Sequence, residues 1–86
     1  MKYRVNKGLI TQKLDDKTVI FDGEKSLLFT FNKTASFIFN KIKAKWEDDK
    51  IIKAMAKEYG IKETKAKKDY GLLLADMLKK KILISF

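Results

Sequence analysis

One eleven-residue stretch, Phe29-Thr30-Phe31-Asn32-Lys33-Thr34-Ala35-Ser36-Phe37-Ile38-Phe39, joins two different hydrophobic periods. Ser26 to Phe31 reads as a strand, with apolar positions recurring every second residue. Beyond Asn32, Phe37, Ile38 and Ile42 recur at helical spacing, and Phe39 widens the apolar face. Asn32 stands between the two. Its side-chain oxygen can accept from one of the orphan amides at a helix start, so it is the natural cap. A chain that must turn from strand to helix at one residue is held to a mixed architecture, with sheet before the junction and helices after it.

Both halves fit that frame. Leu9–Leu14 is a plausible strand, Asp15-Asp16-Lys17 a turn, Thr18–Asp22 a β-branched and aromatic strand, and Gly23-Glu24-Lys25 another turn. Turns this short imply an antiparallel meander. Residues 1–7 read as a loose tail. After the first helix fades in Lys43–Trp46, a second is expected from Glu47-Asp48-Asp49, whose carboxylates favour the positive end of a helix dipole. It turns Ile51, Ile52, Met55, Ala56 and Tyr59 inward and ends at Gly60. A third helix spans roughly Glu63 to Lys80, with Ala66, Tyr70, Leu73, Leu74, Met77 and Leu78 as its core stripe. Gly71 inside it points to a close approach by a neighbour. Trp46 reads as a structural plug between two helices. Ile82–Phe86 is an apolar tail that must pack somewhere. The fold class expected is α+β, a three-stranded antiparallel sheet followed by three helices, in one domain over residues 1–86.

Much catalytic chemistry is excluded. The chain has no His and no Cys. The common metal sites and the Ser-His and Cys-His nucleophilic systems therefore have no parts. The four glycines are scattered and form no phosphate loop. Asp15-Asp16 and Asp48-Asp49 are better read as a turn and a helix start than as metal or acid–base sites. No catalytic residue, metal or cofactor is expected. No apolar run reaches the ~20 residues that span a bilayer, and no secretory signal is visible, so a cytoplasmic location is the default expectation. The formal net charge is +9, and of the twenty basic residues all but Arg4 are lysine. Lysine is a hydrated point charge without the planar fork of arginine. Such a surface suits general attraction to an acidic partner better than reading of bases.

The order of these segments resembles the PqqD-like family, the leader-peptide recognition elements of ribosomal peptide-modification pathways. Members carry a Leu-Asn-x-Thr-Gly-Ala-x-Ile-Trp junction after the third strand. Here Asn32, Thr34 and Ile38 match it, with Phe31 and Phe39 as apolar replacements and Ala35 and Ser36 as small ones. The Leu-x-x-x-Tyr that ends the family's second helix is seen as Met55–Tyr59. The Asp-Val pair and closing Leu-x-x-x-Gly-Leu-Ile of its third helix are seen as Asp69-Tyr70 and Met77–Leu83, with Lys81 at the usual glycine. The match covers about residues 9–84.

The resemblance implies a winged helix-turn-helix-like domain that is not an enzyme. The leader of a ribosomally made precursor would add as a further strand beside the third strand, in a groove against the third helix. The bound peptide would be delivered to a modifying enzyme such as a radical-SAM protein or cyclase, or to a leader peptidase, in a pyrroloquinoline quinone, lasso or thioether-bridged route. The implied peptide-binding residues are Lys25, Ser26, Leu27, Leu28, Phe29 and Thr30 on the strand, with Phe29 and Phe31 turned to the core. On the helix they are Lys65, Lys68, Asp69, Leu72 and Asp76. Leu72 reads equally as a pocket for an apolar leader side chain and as a widened core stripe. Lys65 and Lys68 read as contacts to leader acids or as a solvated face with a Lys65–Asp69 pair. The rival reading is a winged-helix DNA-binding protein, resting on the charge and on Lys62, Lys65, Lys67 and Lys68. Against it, that region has no Arg, Asn or Gln to read base edges.

Overall fold

The computed structural model describes residues 2–86. The elements in chain order are β1 (Tyr3–Val5), β2 (Leu9–Leu14), β3 (Lys17–Asp22), β4 (Leu27–Phe31), α1 (Lys33–Lys43), α2 (Asp48–Tyr59), α3 (Glu63–Lys79) and β5 (Leu83–Ser85). The fold is α+β. Strands β2, β3 and β4 form the expected antiparallel meander, with Ile20 opposite Phe29 and Thr18 opposite Phe31.

Two sequence expectations are corrected. Residues 3–5 are not a loose tail: β1 pairs antiparallel with β5, Tyr3 opposite Ser85 and Val5 opposite Leu83. Asn6 extends the seam, its backbone N–H donating to the Ile82 carbonyl and its side-chain amide to the Lys81 carbonyl, each at 2.9 Å. This small sheet answers where the apolar C-terminal segment packs, for Ile82 and Leu83 are buried. Gly71 permits no close approach either. A Cβ placed there would meet nothing within 4 Å.

Asn32 caps α1 as its chemistry requires, with Oδ1 accepting from the Ala35 amide at 2.9 Å. The apolar face of α1 then supplies Ile38, Phe39 and Ile42 to a core shared with Ile20, Phe31, Ile51, Met55, Ala66, Tyr70 and Met77. Phe31 and Phe39 meet edge to face with ring centres 5.6 Å apart, a geometry that aromatic quadrupoles favour. A buried hydrogen bond between the Thr18 and Ser36 hydroxyls ties β3 to α1. Across the bundle, the Tyr70 hydroxyl donates to Asp48 Oδ1 at 2.6 Å and fixes α3 to the start of α2. Burial, and then that carboxylate, push the Tyr70 phenol far above its ordinary pKa.

Candidate functional site

Strand β4 lies at the border of the sheet, bonded to β3 on one side and, among the described residues, to no strand on the other. Its backbone approaches β3 and the start of α1, whereas α3 packs on α2 and β5. An unpaired row of backbone donors and acceptors is therefore available along β4, and such a row is a template for another strand.

Alternation sorts its side chains. Leu27, Phe29 and Phe31 share the helix-facing side with Ile20, and Leu28 and Thr30 point to the opposite face. Phe31 is buried and Phe29 half-buried against the core, as expected of the pair, while Leu27 is exposed. Lys25 and Ser26 sit in the turn before β4 and not in the strand. The Lys25 amide is already bonded to Asp22 Oδ1 at 3.2 Å, and Ser26 takes a left-handed φ of 52°. The regular pairing segment is thus Leu27–Phe31.

On α3, the predicted residues fall on one outer stripe. Leu72 is 63% exposed, which removes the reading of it as a widened core stripe. The remaining side chains are partly committed to one another. Lys65 Nζ lies 3.4 Å from Asp69 Oδ2, and Lys68 is exposed. Asp76 Oδ2 is paired with Lys80 Nζ at 2.9 Å.

Lys80 joins the two halves of the site. Besides its pair with Asp76, its ammonium stands 5.7 Å from the centre of the Phe29 ring on β4. It is an α3-side residue placed against that strand, and it is absent from the residues expected on sequence grounds. A signal for it exists, since Leu72, Asp76 and Lys80 follow one another by fours along a helix face.

A second feature is missing from the sequence expectations. On the outer face of the sheet, Ile10, Phe21 and Leu28 stand side by side in cross-strand register, all exposed. Each lies in a strand that alternation predicts, but a register across three strands is not visible in any one of them. Among the described residues, no group of three or more His, Asp or Glu side chains could hold a metal ion. No described helix is long and apolar enough to cross a membrane.

This architecture can be set beside known proteins. A family profile described as "Coenzyme PQQ synthesis protein D (PqqD)" matches residues 17–83. The chain belongs to the PqqD family. The matched span runs from β3 to the start of β5, so it takes in the junction, the free strand and the whole of α3. Two solved structures share the fold. One, described as TbiB1 in complex with the TbiA(beta) leader peptide, is 19% identical with a TM-score of 0.89, covering 100% of this chain and 98% of that one. The other, lasso peptide synthetase B1 complexed with the leader peptide, is 18% identical with a TM-score of 0.91, covering 99% of this chain and all of its own. No curated protein matches the sequence.

Proposed function

We propose that this PqqD-family chain binds the leader segment of a ribosomally made precursor peptide. The leader adds as a strand along β4, and α3 flanks it. The observation that carries the reading is the pairing of a free strand edge with an exposed leucine, Leu72, on the outer face of α3. In strand addition, main-chain hydrogen bonds give affinity and side-chain pockets give register. Leu27, Leu28, Phe29 and Thr30 supply the edge, with Lys25 and Ser26 at its entrance. Leu72 offers the apolar contact. Lys65, Lys68, Asp69 and Asp76 set charge along the groove. Support comes from the two solved neighbours, whose descriptions place a leader peptide in complex with each.

In this reading the protein is an adaptor and not an enzyme. It works inside the cell and hands the leader-bound precursor to a modifying enzyme or leader peptidase. The DNA-binding alternative is weaker on this surface. Lys65 is tied to Asp69, and an exposed leucine occupies the middle of the helix that would enter a groove. Fluorescence anisotropy tests the choice, with the labelled leader encoded beside this gene as one probe and duplex DNA as the other. The reading expects saturable leader binding that a scrambled leader does not reproduce. Tighter binding of any duplex, with the steep salt dependence of phosphate contacts, would reject it.

A further inference from the structure

Strand β4 has a second face, which the groove against α3 does not use. Leu28 and Thr30 point there, away from the helices. Leu28 ends a row that crosses the whole sheet, for Phe21 of β3 stands between Ile10 of β2 and Leu28 in direct register. Ile10 and Leu28 are each 65% exposed, and Phe21 is 39% exposed. The face is poor in charge for this chain. The outward rows that contain Phe21, Val19 and Lys17 hold one charged side chain, that of Lys17 itself, in a sequence that is 36% charged. Lys17 pairs with Leu14 and lies beyond the last residue of β4, since Phe31 is already opposite Thr18.

What comes to lie beside Leu28 is fixed by the backbone. The unpaired donors and acceptors of β4 take a strand on the side away from β3. Whether that strand runs parallel or antiparallel, one of its side chains stands directly beside Leu28 on the same face, about 5 Å away. It becomes the fourth member of the Ile10–Phe21–Leu28 row. Cross-strand pairs are the unit by which a sheet gains stability, and an aliphatic neighbour rewards an apolar partner. A carboxylate or ammonium at that place would find no opposite charge in the row and would forgo the contact with Leu28. The next outward place, beside Thr30, continues a row of Val19 and Gln12 and makes no such demand.

We propose that Leu28 is a specificity-determining residue, which selects leaders carrying an apolar side chain on the solvent face of the added strand. This selection rests on leader binding along β4 and goes beyond it. The groove toward α3 reads one face of the leader, through Phe29 and Leu72, and Leu28 reads the other. A leader that fits therefore has apolar side chains at two neighbouring positions, one directed to each face. It departs from the strict alternation of a strand with one wet side.

The chain has no cysteine, so Leu28→Cys carries a single thiol. The probe is the leader of the precursor encoded beside this gene, made as a series with one Cys at each successive position and activated as a pyridyl mixed disulfide. Residues directly opposite in a sheet have Cα atoms about 4.5–5.5 Å apart, within the span of a disulfide. One leader position should therefore cross-link far faster than its neighbours, and it is expected to hold an aliphatic or aromatic residue. By fluorescence anisotropy, Asp at that position should weaken binding to the natural protein at least fivefold. Asp at the position that cross-links to Thr30→Cys should change it less than twofold. Leu28→Lys should invert the preference and bind the Asp-substituted leader more tightly than the natural one. Leu28 is exposed on an edge strand, a place that lysine suits, so the variant keeps its fold. A polar residue at the cross-linking position would overturn the proposal and leave strand addition standing. So would a Leu28→Lys protein that binds the natural leader as tightly as before. Cross-linking at no position, or evenly along the leader, would remove strand addition itself and this selection with it.

Discussion

Lys45 and Lys81 both adopt a backbone conformation that L side chains avoid, with φ of 67° and 59°. Each follows a helix C-cap. The next residue closes a six-residue loop, Trp46 N–H to the Lys41 carbonyl at 3.1 Å and Ile82 N–H to the Met77 carbonyl at 2.9 Å. This is the Schellman ending, in which glycine is the usual left-handed residue. Lys81 stands where the family motif has that glycine, and the helix still ends there. The backbone bonds and the burial of Ile82 hold the turn without it. Lys81→Gly should therefore stabilise the fold by about 1 kcal/mol, read as a higher urea midpoint with an unchanged slope. Gly71 is the opposite case. It sits inside α3 with open space beside it, so Gly71→Ala should add about 0.5–1 kcal/mol. A loss of stability there would mean that a neighbour approaches the helix at that point.

At the scale of elements, the junction is legible in the sequence because its signal is local. Asn32 lies between two hydrophobic periods, and the hydrogen bond it makes is the one its side chain is suited for. Asn32→Ala should cost about 1 kcal/mol in chemical denaturation. The strand β1 is not legible. It is three residues long, and its partner β5 lies at the other end of the chain, so no short-range pattern marks it. The candidate site is legible in part. Leu72 stands out as an apolar residue beside a polar stripe, whereas Lys80 does not, because its contact with Phe29 exists only once α3 is docked. Since Leu72 is exposed, Leu72→Asp should lower the melting temperature by only a few degrees, through helix propensity and the nearby Asp69 and Asp76, and weaken leader binding about tenfold or more. The α2–α3 contact makes a prediction in pH. The Tyr70 phenol keeps its proton in the folded state above its ordinary value of 10.0. The unfolded chain then binds fewer protons than the native one. Stability should be flat in pH below about 10 for this group and fall as pH rises beyond it. Tyr70→Phe should flatten that fall in urea titrations across pH 9–11.

At the scale of the molecule, the two sheets divide the work. The β1–β5 pair sets Val5 beside the buried Leu83 and joins segments near the two ends of the chain. Removing the segment through Asn6 should take Tyr3 and Val5 from the core they pack against and cost about 3 kcal/mol, seen as a lower urea midpoint. The three-stranded sheet meanwhile leaves β4 open. A free edge is a liability unless something occupies it, and the proposed occupant is a peptide strand. Hydrogen exchange of the isolated protein, with and without the neighbouring precursor's leader, tests that claim most directly. Strand addition predicts new protection at alternate amides of Leu27–Phe31, together with chemical-shift changes around Leu72 and Lys80. If the leader binds while the β4 amides exchange as fast as before, the peptide does not extend this sheet, and strand addition is wrong.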